Sequence, residues 1–295
     1  MVPPVEILSI DCVADEKALL GEGPLWDPRI NRLIWLDIKG DALFLFDPAT
    51  LSNKRYKASD MISAVGLAKG GDYICVNRQG FHRLQIKDDS LMFEKIIDPE
   101  KDLPGNRFND GKIDPAGGFW AGTMDNAEKR ASGQWWRLSP GGDAGNLLKD
   151  FMVTNGPAFD DERGCVFLTD SAKQRIFRAC SDGQSLSEIE VFLQFEPEDG
   201  FPDGMDIDRF GCLWVAFWDG GVVRRFSPEG ELLSQVAIGV PRPTSVAIVA
   251  DRLYVTSASI GLNENVISQS PQSGGLFCLK ANANLEKNKV YQYSS

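Results

Sequence analysis

Residues 114–122 read DPAGGFWAG and residues 208–216 read DRFGCLWVA. Each has a glycine three positions after the aspartate and a tryptophan three after that, so one segment repeats the other within the same chain. Outward from this pair, apolar strand cores begin near Leu33 (LIWLD), Tyr73 (YICV), Phe119 (FWAG), Cys165 (CVFLTD), Leu213 (LWVAFW) and Leu253 (LYVTS), spaced by roughly 40 to 48 residues. A second strand follows each core: ALFLFDP, GFHRLQI, GQWWRLSP, RIFRAC, GVVRRFSP and GGLFCLK. Helical periodicity is nearly absent, and Gly, Pro, Asp and Asn punctuate the apolar runs.

A hairpin recurring at this period is the signature of a propeller blade, and closing the blades into a ring removes exposed sheet edges. Six copies predict an all-β chain folded as a six-bladed β-propeller with a central metal-bearing channel, residues 1–295 forming a single domain. A β-sandwich also consists of short strands but does not repeat a similar hairpin at this interval. The N-terminal stretch VEILSID is expected to join the last sheet.

Bulk properties exclude several function classes. Lys and Arg number 31 against 42 Asp and Glu, a formal charge of −11, so a phosphate-binding surface would oppose the mean field of the protein and nucleic acid is not expected as a partner. No basic and apolar leader opens the chain and no apolar run reaches the length of a membrane helix, which predicts a cytoplasmic protein without a membrane partner. Six cysteines without a C-x-x-C pair read as buried reduced thiols. The single histidine, His82, sits in the strand-like GFHRLQI and reads as a surface or packing residue, which argues against a histidine triad or a multi-histidine zinc site.

About ten residues before each strand core, a polar side chain recurs at one phase of the repeat: Glu22, Ser63, Asn109, Asn155, Asp203 and Thr244. The strand preceding the hairpin is the innermost one of a blade, so equivalent positions at its start point toward the axis from the same end. Four of the six lie in glycine-rich settings, GEGP, FNDGK, TNGPAFD and FPDGMDID. Taken singly these are ordinary turn dipeptides; at one shared phase they read as close approach to a crowded axis. Glu22, Asp203 and the amide oxygen of Asn155 would form an oxygen-only set of charge −2, which suits a hard divalent cation with positions left open for water or substrate. Such a site is equipped for carbonyl or phosphoryl hydrolysis.

The segments GEGPLWDPRINRLIWLDI, NRFNDGKIDPAGGFWAGTMD, TNGPAFDD, FPDGMDIDRFGCLWVAFWDGG and GGLF occur in this order from Gly21 to Phe277. Together they resemble the regucalcin, senescence marker protein and gluconolactonase family of six-bladed propellers. The resemblance implies that Glu22, Asn155 and Asp203 hold one divalent cation, with Ca²⁺ first and Mg²⁺, Mn²⁺, Zn²⁺ or Fe²⁺ as alternatives. It also implies that Asp203 acts as general base and that Arg107 and Asn109 orient the substrate. Where animal members carry a substrate-contacting glutamate after GTM, this chain has GTMDNAEKR; Asp125 is the expected counterpart, with Glu128 the alternative. The implied activity is metal-dependent opening of a small-molecule sugar lactone to the aldonic acid by a monomer or weak oligomer. Hydrolysis of a phosphotriester or another ester on the same site, and a non-catalytic calcium-binding propeller, are the competing readings.

Overall fold

The computed structural model describes residues 2–182, 185–287 and 289–294. Among the described residues the strands form six four-stranded sheets, and the fold is an all-β six-bladed β-propeller. Blades 1 to 6 begin with the inner strands Gly21–Asp27, Ala64–Leu67, Asn106–Ile113, Thr154–Asp160, Phe201–Ile207 and Pro243–Val249. In blades 1 to 5 the sheet runs outward in chain order. Blade 6 takes its outermost strand from the other end of the chain: Ile7–Ala14 pairs antiparallel with Leu276–Ala281, as expected for the N-terminal stretch.

The second strand of a blade is covered on both faces, so it reads as an unbroken apolar run. Leu33, Ile34, Trp35 and Leu36 are all fully buried in Arg32–Asp37. The outermost strands behave oppositely: Leu232–Ala237 alternates between exposed and half-buried positions. That alternation is weak and polar, which is why the sequence shows the hairpins clearly and the fourth strand poorly.

The chain divides into two compact units, Met1–Arg55 with Phe195–Asn288 and Tyr56–Gln194 with Lys289–Ser295. The first unit carries blades 5 and 6 and blade 1 as far as Arg55. Trp214, Val223, Val246, Val255 and Phe277 form one of its cores, and Leu33, Trp35, Phe44, Phe46 and Tyr254 another. The second unit carries blades 2, 3 and 4. There Trp120 and Trp135 pack on Val166 and Leu168 of the next blade, so the tryptophans at strand positions fill the space between sheets.

The repeated aspartates turn out to anchor the blades. Asp27, Asp114, Asp160 and Asp208 are essentially inaccessible, and each lies five residues after a polar residue of the shared phase. Asp208 Oδ1 accepts from the amides of Phe210 and Cys212, while Oδ2 accepts from Trp214 Nε1 at 3.1 Å and Arg225 Nε at 2.9 Å. Asp114 repeats the arrangement with Ala116 and Gly118, Trp120 Nε1 at 2.8 Å and Arg137 Nε at 2.6 Å. The glycine of the motif has φ +81° at Gly117 and +78° at Gly211, a backbone conformation that a side chain disfavours. Aspartate, glycine and tryptophan therefore recur together because one carboxylate holds the turn, the ring and an arginine of the third strand.

His82 is buried, with Nδ1 3.0 Å from Gly80 O, and is a packing residue. The six cysteines are free thiols; Cys75 and Cys212 are buried, whereas Cys12, Cys165, Cys180 and Cys278 are only half-buried, short of the full burial expected. No helix among the described residues is long and apolar enough to cross a membrane.

Candidate active site

Strand pairing shows why the six polar residues stand out. In blades 1, 3, 4, 5 and 6 the pairing of the inner strand with its neighbour shifts register at or beside the shared position: after Glu22, at Asn109, after Asn155, at Asp203 and at Thr244. An extra residue in one strand re-aims the side chain at the irregularity and increases local twist. The glycines beside these positions meet the same demand. Gly23 and Gly156 have φ of +54° and +87°, and a Cβ on Gly204 would lie 2.1 Å from Ser245 Oγ on the next inner strand.

All six side chains are buried, with relative exposures of 8% or less. Their hydrogen bonds divide them into two sets. Ser63 Oγ donates to Phe108 O at 2.8 Å, Asn109 Nδ2 to Thr154 O at 2.8 Å and Thr244 Oγ1 to Gly21 O. Each of these carbonyls belongs to the residue just before the shared position of the next blade, so these three side chains stitch one inner strand to the next. Glu22 and Asp203, as carboxylates, have no proton to make this bond. Asn155 instead turns its Nδ2 to Ser171 Oγ at 2.8 Å. The three residues outside the stitching pattern are the three expected metal ligands.

Within the second unit the amides form a chain. Arg107 Nη1 donates to Phe108 O at 3.0 Å and to Asn109 Oδ1 at 2.6 Å; Asn109 Nδ2 donates to Asn155 Oδ1 at 3.0 Å; Asn155 ends on Ser171. The chain orients every amide, because each nitrogen has an acceptor and each oxygen a donor. Arg107 and Asn109, expected to act together, are joined directly. Ser171 and the stitching role of Ser63 and Thr244 had no signature in the sequence. Nearby, Asp110 accepts from Gly111 N at 2.7 Å and from Gly156 N on the adjacent inner strand at 2.9 Å, and burial pushes its carboxyl up to about 6.

Asp125 stands apart from this chain. Its buried carboxylate accepts from Lys129 N at 3.1 Å and pairs with Arg130 Nη2 at 3.2 Å, closing the turn after its own strand. The Arg130 guanidinium holds the carboxyl below the usual carboxylate range. Glu128 is exposed at a left-handed position of that turn. Trp218 and Asp219 are both engaged by Arg242, whose guanidinium lies 4.6 Å from the indole centroid and 2.6 Å from the carboxylate.

The donor set fits a hard cation. Glu22 and Asp203 are buried carboxylates in the first unit, Glu22 Oε2 accepting from Gly23 N at 3.1 Å, and the Asn155 amide oxygen has one lone pair beyond the bond from Asn109, so all three offer the hard oxygens that such a cation takes. Among the described residues no three or more His, Cys, Asp or Glu side chains gather as a metal cluster, and the expected set contains only two such residues.

A family profile described as SMP-30/Gluconolactonase/LRE-like region matches residues 20–259. The chain belongs to this family. A relative from Bacillus subtilis (strain 168), YvrE, whose name proposes a sugar lactone lactonase, is 35% identical over 272 residues, covering 90% of this chain and 92% of that one. The 6-deoxy-6-sulfogluconolactonase of Pseudomonas putida is 31% identical over 280 residues, covering 93% and 95%. The crystal structure of the calcium-binding protein regucalcin from Agrobacterium tumefaciens strain C58 superposes with a TM-score of 0.89 at 26% identity over 96% of each chain. As an SMP-30/gluconolactonase relative, the chain has homologues named both for lactone hydrolysis and for calcium binding.

Proposed function

We propose that this protein hydrolyses a sugar lactone to the aldonic acid with the help of one divalent cation held by Glu22, Asn155 and Asp203. The observation that carries the reading is the division of the six buried shared-phase residues: three donate to the backbone of the next inner strand, and the remaining three, two carboxylates and the Asn155 amide, do not. Grouping Asn155 with Glu22 and Asp203 is supported by their common repeat phase and by the family resemblance. When bound, the cation would polarise the lactone carbonyl and stabilise the developing oxyanion. The chain's own groups supply the rest. The Asp203 carboxylate takes a proton from the attacking water, Arg107 donates to a lactone oxygen, Asn109 Oδ1 accepts from a sugar hydroxyl, and the amide chain through Asn155 to Ser171 keeps these groups oriented. Asp125 borders the sugar from its turn. The names of the lactonase relatives support the substrate class, and Ca²⁺ is the first candidate cation because the similar regucalcin is described as calcium-binding.

The test is a proton-release assay on pentono- and hexonolactones, using metal-stripped protein to which Ca²⁺, Mg²⁺, Mn²⁺, Zn²⁺ or Fe²⁺ is returned singly. Stimulated turnover is expected, and Asp203→Asn should abolish nearly all of it while circular dichroism stays unchanged. Turnover indifferent to every cation, or retained by Asp203→Asn, refutes the assignment. The calcium-binding name of the similar structure favours a second reading, a non-catalytic calcium binder. Calcium affinity with no turnover on any lactone would select it.

A further inference from the structure

The second unit carries a cleft of about 240 Å³ beside Arg107, walled by Arg78 and Gln79 from a turn of blade 2 and by Asp98, Glu100 and Lys101 from the connection into blade 3. Its volume equals that of about eight waters at liquid density, enough for a hydrated oxyanion. The acids in the wall are committed. Glu100 is buried, with Oε1 accepting from Thr123 Oγ1 at 2.7 Å and Trp136 Nε1 at 2.9 Å, and Oε2 accepting from Asn106 Nδ2 at 2.8 Å. Asp98 accepts from Glu100 N at 3.1 Å and pairs with Lys95 at 3.4 Å. The bases are not committed: Arg78 and Lys101 are exposed, and no carboxylate pairs with either among the described residues.

In a chain of formal charge −11, two unpaired cations beside a third in one cleft reverse the prevailing charge locally. An arginine fork matches the geometry of carboxylate, sulfonate and phosphate oxygens, and a neighbouring lysine adds a point charge. Arg107 joins this cleft to the amide chain, because it lines the cleft while its Nη1 donates to Asn109 Oδ1. A lactone held by Arg107 would therefore border a cleft that also carries Arg78 and Lys101.

We propose that the substrate is an anionic sugar lactone, carrying a phosphate, sulfonate or carboxylate at the end remote from the lactone carbonyl, and that Arg78 and Lys101 bind that group. This inference rests on the lactonase reading above and names the substrate class for it. The experiment compares kcat and KM for gluconolactone and 6-phosphogluconolactone, with 6-sulfogluconolactone and glucarolactone as further arms that identify the oxyanion. Wild type should favour an anionic lactone in kcat/KM by about tenfold or more, as expected for one charge-assisted contact. Arg78→Gln and Lys101→Gln should each shrink that preference severalfold through KM, and raised salt should do the same. Equal kcat/KM for neutral and anionic lactones, or a preference that neither substitution moves, overturns the inference and leaves lactone hydrolysis standing. Calorimetry with 6-phosphogluconate and gluconate reads the cleft without turnover. Tighter binding of the phosphorylated acid that weakens in Arg78→Gln supports the subsite even if no lactone is hydrolysed, and equal binding of the two acids overturns it.

Discussion

Replacing Ser171 by alanine removes the acceptor of Asn155 Nδ2, 2.8 Å away, and leaves every proposed ligand and substrate-contacting side chain in place. Both residues are buried, so the abandoned amide N–H costs about 1–3 kcal/mol if it stays where it is. Rotating the amide to find another acceptor is the alternative, but it takes Oδ1 away from Asn109 Nδ2, which now fixes it at 3.0 Å. Either response degrades the donor. Loss of a group that orients a ligand typically lowers metal affinity about 10- to 100-fold, and we expect about tenfold here because Asn109 still holds the oxygen. The assay is a cation titration of metal-stripped protein, followed by calorimetry and by turnover. Ser171→Ala should need about tenfold more cation for half-maximal activity and recover most of its kcat at saturation. Ser171→Thr, which keeps the hydroxyl, should restore the affinity. Unchanged cation affinity in Ser171→Ala, with only a lower melting temperature, would show that Ser171 supports the fold and does not position a ligand. Absence of cation affinity in the wild type would refute the ligand set itself.

Three further outcomes follow from the same contacts. Asp208→Asn removes the charge facing Arg225, which is 1% exposed and 2.8 Å away, and should lower stability by about 3–5 kcal/mol in urea titrations. Adding Arg225→Met to that variant should recover part of the loss, and a loss below about 1 kcal/mol would contradict the anchoring role. Burial pushes the Cys165 thiol up to about 11, so iodoacetamide at pH 8 should modify it about 100-fold more slowly in folded than in unfolded protein, read by mass spectrometry. Deleting residues 2–12 strips the strand paired with Leu276–Ala281 and the Pro3 carbonyl that accepts from Arg225 Nη1 at 3.0 Å. The truncated protein should lose cooperative melting, and a native melting curve would show that this closure is dispensable.

Much of the fold was legible because its signals are local. Each second strand is covered on both faces and so reads as a continuous apolar run, and each Asp-x-x-Gly-x-x-Trp segment carries a turn whose glycine needs a positive φ. The outer strands were hard to see because they are half exposed and polar. The spacing of five residues from Glu22, Asn109, Asn155 and Asp203 to their anchoring aspartates is present in the sequence, yet its meaning depends on Trp120, Arg137, Trp214 and Arg225 reaching those carboxylates from other strands.

Residue type set Glu22 and Asp203 apart in the sequence, since a carboxylate has no proton to donate, but the strand-to-strand bonds of the other residues were not legible. Asn109 and Asn155 are the same residue type, and like Ser63 and Thr244 they are told apart by which neighbour receives their protons. Those neighbours are Phe108, Thr154 and Gly21, on adjoining blades, against Ser171 within the same blade. The pairing of Asp125 with Arg130, which closes the turn after its strand, likewise had no signature in the sequence. The repeat, the blade number and the positions where polar groups gather are written in the chain, since periodicity and turn chemistry act over a few residues. Which of those groups reach the backbone of the next inner strand, and which turn to another partner, emerges from the packed fold. A hydrogen bond between residues some 45 positions apart depends on packed distance and orientation, which no local pattern encodes.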